Sequence, residues 1–438
     1  MKLFGSSGVR KVVDREFLML AFDIGLAVGS TYKSLLIGSD TRTSGPAVKN
    51  AFLSGLLAAG ASAHDAGIAP TPTIAYATQN KQAGIIITAS HNPPEYNGIK
   101  LVNTDGSAFD ATQRENIERI VEQQSGSVVS WQDMGFCAKQ DGIVENHIER
   151  ILNDFPHKYR LKVAVDCGCG AASEVTPELL SRLGCDVLQL NCTPSGHFPR
   201  GIEPTEENLQ DLISTVRREK ADLGIAHDGD ADRIAVIDSS GRLIAGDQLV
   251  ALFAQHVNSK KVVTTVDASM LIDDMGFDVT RTRVGDAFVS DELRQYKGSG
   301  REFGGEASGC FIFPQISLCP DAIYAVAVIL RIASEKPLSV LVDELPTYVL
   351  LRGSINGTSS LMPLLESKLA VETSAELNTI DGLRLGFNDG WLLIRPSGTE
   401  PKIRITAEAK SEQRAIELYD LGTRTIHESL EELERATI

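Results

Sequence analysis

Three times along the chain a run of strand-type apolar residues ends on an aspartate: "SLLIGSD" (34–40), "LKVAVD" (161–166) and "KVVTTVD" (261–267). Each leads into a helical segment and then a glycine that opens a shorter β run: "GASAHDAGIAPTP" from Gly60, "GCDVLQLNCTP" from Gly184 and "GFDVTRTRVGD" from Gly276. A helix-breaking glycine ahead of a β run suits a helix C-terminus. Another helix and a third strand follow, and the third strands run into "TASHNP", "AHDGDADR" and "GGEASG". Strand, helix, strand, helix, strand is an α/β pattern, so the repeat predicts three similar α/β domains with mostly parallel, mixed sheets. In such sheets ligands bind beyond the carboxyl ends of the strands, which is where the three loops fall.

The tail breaks the period. "LRLGFNDGWLLIRPSGTEPKIRITAEAK" gives two β runs around a polar loop, and a long helix follows from Ser411, which predicts a C-terminal α+β domain. The expected domains are 1–150, 151–245, 246–346 and 347–438. At 438 residues the chain is longer than one hydrophobic core usually supports, in keeping with several domains.

Charge then narrows the function. A formal net charge of −16 argues against non-specific nucleic-acid binding. The most apolar stretch near the N-terminus, residues 17–28, is broken by Asp23 and preceded by Arg15 and Glu16, so it reads as a buried helix and not as a signal or membrane segment. A cytoplasmic protein with a small-molecule substrate is expected, with no nucleic-acid and no membrane partner. Seven cysteines form no CxxC pair, and Cys167 and Cys169, one residue apart, are poorly spaced for zinc, so free thiols are expected.

The loops carry the candidate chemistry. "HDGDADR" places Asp228, Asp230 and Asp232 at alternate positions, which in an extended loop turns all three carboxylates to one side. Two carboxylates about 4 Å apart repel by about 4 kcal/mol at an effective dielectric of 20, so three converging on one point call for a cation. An oxygen-only site with room for phosphate suits Mg²⁺. The alternative is a solvated acidic turn, which Asp and Gly favour on their own account. An EF-hand fails, because Arg233 and Ser239 stand where Gly and Glu are needed. "RPSGTEPKIR" (395–404) offers Arg395, the hydroxyls of Ser397 and Thr399, backbone amides around Gly398, and Arg404, groups that hold a phosphate dianion; an ordinary turn flanked by surface arginines is the alternative. "GGEASG" (304–309) sets Glu306 and Ser308 on a glycine-rich loop, as suits the vicinal hydroxyls of a sugar, or makes only a tight turn. Among eight histidines, His91 and His227 alone neighbour these loops.

In this order, over nearly the whole chain, "TASHNP", "DGDADR", "GGEASG" and "RPSGTEP" resemble the motifs of the α-D-phosphohexomutase superfamily of four-domain sugar-phosphate mutases. The resemblance implies that Ser90 carries a phosphoryl group and completes, with Asp228, Asp230 and Asp232, the coordination of one Mg²⁺ per chain. It implies that Glu306 and Ser308 bind the sugar, and that Arg395, Ser397, Gly398, Thr399 and Arg404 grip the substrate phosphate. Arg10, Arg233 and Lys100 then neutralise charge on the moving phosphoryl group, and Lys100 resembles the family's candidate proton-transfer residue. The implied cycle has phosphoserine donating to one end of a sugar monophosphate, the hexose bisphosphate turning round, and the other phosphate returning to Ser90. Several relatives have histidine after the "GExSG" motif where this chain has Cys310, so a proton-transfer role for that histidine does not carry over.

The opening "LFGSSGVR" (3–10) resembles the "FGTSGIR" opening of archaeal-type phosphoglucosamine mutases, which implies conversion of glucosamine 6-phosphate to glucosamine 1-phosphate. Mannose or glucose phosphates are the alternative substrates, and a metal-dependent sugar phosphatase is the alternative reaction.

Overall fold

The computed structural model describes residues 3–5, 8–296, 300–372, 375–397 and 401–437. It divides into two compact units, Met1–Ser259 with Gly285–Asp343, and Lys260–Val284 with Glu344–Ile438. Among the described residues, the first unit holds a six-stranded sheet made of β1 (Val9–Val12), β2 (Ser34–Ser39), β3 (Ser62–Ile68), β4 (Ala83–Ile87), β5 (Tyr96–Val102) and β6 (Cys137–Lys139), in the order β1-β5-β4-β2-β3-β6. The β2, β3, β4 and β6 pairings are parallel, while β5 runs antiparallel to both β4 and β1. A second sheet of β7 (Lys162–Asp166), β8 (Asp186–Leu190), β9 (Leu223–His227) and β10 (Ile234–Asp238) repeats the plan in the order β10-β9-β7-β8 with only β10 antiparallel.

The apolar runs that opened the first two repeats, β2 and β7, are central strands, buried on both faces. In β4 all five residues are buried, and Ile85 and Ile87 join Leu35 and Ile37 of β2 in one core while Ile86 and Leu36 face another. That two-sided burial explains why these strands read as continuous apolar runs. The helix Arg15–Thr31, capped by the Asp14 side chain on the Phe17 amide, buries Phe17, Ala21, Ile24 and Val28 against the first core. Helix Ile143–Asp154 runs unbroken through residue 150.

The third repeat is shared between the units. In the second unit β11 (Lys261–Thr265) and β12 (Asp278–Thr282) pair in parallel; in the first, β13 (Glu302–Gly305) and β14 (Phe311–Ile312) pair antiparallel. The rest of the second unit is an antiparallel sheet of β15 (Val349–Asn356), β16 (Glu376–Asn378), β17 (Leu383–Phe387), β18 (Gly390–Pro396) and β19 (Lys402–Ala409), in the order β15-β19-β18-β17-β16. A long helix, Glu412–Thr437, covers it and buries Ala415, Leu418 and Ile426. The buried Glu408 of β19 accepts from the Trp391 indole and from the Met270 amide, both at 2.7 Å. The molecule is therefore α/β with an antiparallel C-terminal part. Among the described residues no helix is long and apolar enough to cross a membrane.

Candidate active site

Ser90 lies three residues beyond β4 with φ at +50°, a left-handed conformation costly for a residue with a Cβ. Neighbouring groups hold it there. Its amide donates to Thr88 Oγ1 at 2.9 Å, and Thr88 in turn donates to Asp40 Oδ2 at 2.7 Å. Asp40, the aspartate that ends the first repeat's opening run, also ion-pairs with Arg42 at 3.1 Å, both side chains fully buried. The Arg42 guanidinium then donates to four carbonyls of the serine loop, those of Ser90, Asn92, Pro93 and Tyr96, at 2.6–2.9 Å. One arginine thereby fixes the whole turn.

The second repeat uses the same device. Asp166 ends β7, Arg200 Nε lies 3.1 Å from its Oδ1, and Arg200 donates to the carbonyl of His227 at 2.7 Å, immediately before the aspartate loop. The loop is a tight turn and not the extended segment expected, with Ala231 at φ +57°. The turn still gathers the three carboxylates: Asp228, Asp230 and Asp232 each offer one oxygen within 4.8 Å of the others, and all are buried. Gly229 is required by the meeting of the two loops, because a Cβ there would stand 2.7 Å from the Ser90 carbonyl oxygen.

Across that contact Ser90 Oγ donates to Asp228 Oδ2 at 2.8 Å. From β5, Lys100 reaches in and donates to Asp230 Oδ2 and Asp232 Oδ2, both at 2.6 Å. Thr71 adds a 2.6 Å hydrogen bond to Asp230 Oδ2. The electrostatics differ among the acids. Burial, reinforced by Asp232 and Asp230, pushes Asp228 well up. Burial also acts against the charge on Asp230, but the Lys100 ammonium and the Thr71 hydroxyl outweigh it and hold this carboxyl below the usual range. Burial works against the charge on Lys100, and the two carboxylates more than reverse it.

The donor set fits a hard divalent cation. Asp230 Oδ1 and Asp232 Oδ1 are buried with no hydrogen-bond partner, two acceptors that a cation would satisfy. Around them stand further cations. Arg233 ion-pairs with Glu203 at 3.3 Å and lies 4.0 Å from Asp232. Arg10, on β1 opposite Gly98, donates to Asn92 Oδ1 at 3.1 Å.

The sugar-loop candidates join this region through the backbone. The Ile234 amide donates to the Gly309 carbonyl, and Arg233 bridges Cys310 in antiparallel register. Glu306 Oε1 accepts from the Gly285 amide at 2.8 Å, and Ser308 Oγ donates to Glu306 Oε2 at 3.4 Å. Burial pushes the Cys310 thiol far up, so it is a neutral group here. In the second unit Arg395 and Arg404 are register partners on β18 and β19; Arg395 ion-pairs with Asp381 at 3.1 Å and Arg404 donates to Ser397 Oγ at 3.4 Å. Gly398 and Thr399 lie outside the described residues.

Several residues at the centre escaped the sequence. Arg42 and Arg200 gave no periodic signal. His91, noted only as a neighbour, places Nδ1 3.3 Å from Ser90 Oγ, and burial, aided by Arg233 and Arg10, pulls its pKa down to about 4, leaving a neutral imidazole. Asp286 heads the helix Asp286–Arg294, where burial and Asp232 push its carboxyl up; it closed the quoted run "GFDVTRTRVGD" without being singled out.

Four family models describe the chain in sequence order: phosphoglucomutase/phosphomannomutase α/β/α domain I over residues 1–127, domain II over 145–241, domain III over 245–348, and the C-terminal domain over 362–420. Among relatives, a protein of Methanosarcina acetivorans named "Probable phosphoglucosamine mutase" is 44% identical over 98% of this chain and 100% of its own. One of the same name from Methanocella arvoryzae is 46% identical over 96% of each. The solved structure of a phosphoglucomutase/phosphomannomutase family protein from Burkholderia thailandensis superposes with a TM-score of 0.87 at 28% identity, covering 98% of this chain and 97% of that one. With the serine and aspartate loops meeting as above and the domain models in order from end to end, the chain belongs to the phosphoglucomutase/phosphomannomutase family.

Proposed function

We propose that the protein is a phosphoglucosamine mutase, an isomerase that converts glucosamine 6-phosphate to glucosamine 1-phosphate through a phosphorylated Ser90 and a hexose bisphosphate. The observation that carries this is the 2.8 Å hydrogen bond from Ser90 Oγ to Asp228 inside a three-aspartate cluster with two unsatisfied buried oxygens. The full-length relatives named for glucosamine support the substrate.

Asp228, Asp230 and Asp232 would hold Mg²⁺ with an oxygen of the Ser90 group. When bound, the ion neutralises charge that develops on the transferring phosphoryl oxygens. The chain does the positioning. Arg42 and Arg200 fix the serine and aspartate loops by their backbones, so Ser90 Oγ is oriented before substrate arrives. Arg10 and Arg233 add positive charge beside Ser90, and His91 stays neutral within reach of Oγ. Lys100, held as an ammonium, is the acid form of the proton-transfer group. Glu306 and Ser308 take vicinal sugar hydroxyls, while Arg395, Ser397, Gly398, Thr399 and Arg404 grip the phosphate that is not reacting. Each of the regions 1–150, 151–245, 246–346 and 347–438 then contributes one loop.

The test is a panel of glucosamine, glucose and mannose 6-phosphates with Mg²⁺ and a trace of hexose bisphosphate, followed by phosphorus NMR. Glucosamine 1-phosphate should form with the highest catalytic efficiency. A glucose or mannose substrate favoured by about tenfold or more overturns the amino-sugar assignment, and release of free phosphate in place of an isomer overturns the mutase.

A further inference from the structure

Behind the aspartate turn lies a pair of thiols that the function above does not use. Cys167 follows β7 directly and Cys192 stands two residues past the parallel neighbour β8, so the strand pairing itself brings them together. Their sulfurs are 3.4 Å apart. Cys167 is buried and Cys192 half-buried, which leaves one thiol open to a solute and shields the other.

The backbone between this pair and the active site is continuous. The Cys167 carbonyl accepts from the Gly170 amide at 2.8 Å, and the Ala171 amide donates to the carbonyl of Gly229, between Asp228 and Asp230, at 2.9 Å. The packing there has no slack: a Cβ on Gly170 would stand 2.7 Å from the Gly229 oxygen and 3.1 Å from that of Asp228. Cys169, within the same turn, is left-handed at φ +57°, and its carbonyl accepts from Thr41 Oγ1 at 2.8 Å, next to the arginine that pins the serine loop.

We propose that Cys167 and Cys192 form a reversible disulfide whose closure displaces the 167–171 turn and, through it, the metal-binding aspartates. A disulfide needs sulfurs about 2.05 Å apart, so the pair must close by roughly 1.3 Å, and the buried Cys167 takes its turn along with it. The oxidant is hydrogen peroxide. The Cys192 thiolate attacks the peroxide oxygen, the O–O bond breaks, and a sulfenic acid forms with release of water after proton uptake. The Cys167 sulfur then attacks the Cys192 sulfur, the S–S bond forms, the S–O bond breaks, and a second water leaves. Two thiols lose two electrons and one peroxide becomes two waters. Cys192 acts first because it is the half-buried thiol of the two, whereas burial pushes the Cys167 thiol up and keeps it protonated.

The disulfide is independent of the substrate; its effect on turnover rests on the function proposed above. The experiment treats the reduced full-length protein with limiting hydrogen peroxide, blocks remaining thiols, and maps peptides, with Mn²⁺ affinity measured calorimetrically before oxidation, after it, and after dithiothreitol. Expected are a peptide bridged from Cys167 to Cys192, a mass lighter by two hydrogen atoms, an Mn²⁺ affinity weakened by about tenfold or more, and recovery on reduction. Cys192→Ser should bind Mn²⁺ as the reduced parent does and keep that affinity through peroxide. Oxidation confined to Cys169 or to other thiols overturns the pair, and a 167–192 bridge with unchanged Mn²⁺ affinity overturns the coupling. A reduced protein that binds Mn²⁺ but isomerises no hexosamine phosphate refutes the mutase and leaves the disulfide result standing.

Discussion

Ser90 and Asp228, 138 residues apart in sequence, share a buried 2.8 Å hydrogen bond in which the serine hydroxyl donates. Removing that hydroxyl should end turnover while leaving the fold intact, because only this bond and the longer one to His91 are lost, about 1–3 kcal/mol in all. The left-handed backbone at Ser90 adds a second expectation. Ser90→Gly should melt at a higher temperature than Ser90→Ala, by an amount equivalent to about 1 kcal/mol, since glycine adopts φ +50° without strain. Both variants should show no mutase activity by phosphorus NMR, and normal turnover in either would end the phosphoserine mechanism.

Chelation should silence the enzyme, and Asp230→Asn should weaken Mn²⁺ binding by about tenfold or more. Its stability moves opposite to what three crowded acids alone suggest. Relief of repulsion would stabilise the variant, but Lys100 donates to both Asp230 and Asp232 at 2.6 Å, so Asp230→Asn loses a charged hydrogen bond inside the protein. A destabilisation of about 1.5–3 kcal/mol is expected in chelator by urea denaturation. Stabilisation would mean that Lys100 does not hold the cluster in solution.

Arg42→Lys tests positioning. A lysine keeps the charge but cannot serve Asp40 and four carbonyls at once. We expect kcat to fall by about tenfold or more with KM nearly unchanged, since Arg42 orients the Ser90 loop by its backbone. An equal rise in KM would place Arg42 in substrate binding instead.

Asp40 gives a pH dependence. Burial raises its pKa to about 6, because Arg42, whose donors are spread over five acceptors, offsets only part of the cost. The ordinary value is 3.8, so between pH 4 and 6 the unfolded chain has released this proton while the folded one still holds it. Stability from this group is therefore greatest below the unfolded pKa and falls as pH rises to about 6, by about 3 kcal/mol in all. Compared with Asp40→Asn across that window, the parent should lose ground as pH rises; a constant difference would show that Asp40 is ionised throughout.

The repeats and their three loops were legible because each is local: an apolar run, a helix-stopping glycine, and charged or small residues at a strand end. What holds the loops was not. Arg42 sits in "SDTRTSG" and Arg200 in "GHFPRG", polar stretches with no period, and their targets are backbone carbonyls, which every residue offers. The aspartates at 40 and 166 marked the repeats, but their partners became visible only once the strands were side by side. β1, a short strand reading "VRKV", carries Arg10 to the site by antiparallel pairing with β5, and a run of four mixed residues predicts no such partner. Lys100 was assigned to the chemistry by resemblance, whereas its hold on two carboxylates 130 and 132 residues away depends on the tertiary fold.

That long separation has a consequence for synthesis. When the ribosome has delivered the strand bearing Lys100, the carboxylates that will bury and neutralise it are still about 130 residues from being made. At about 5–20 residues per second this interval is on the order of ten seconds. A buried ammonium without a partner is costly, so during that time the nascent first repeat must keep the Lys100 end of its sheet open to water. Translation of "DGDAD" supplies those partners, so the carboxylates proposed for the metal and the ones that let Lys100 be buried arrive in the same five-residue loop.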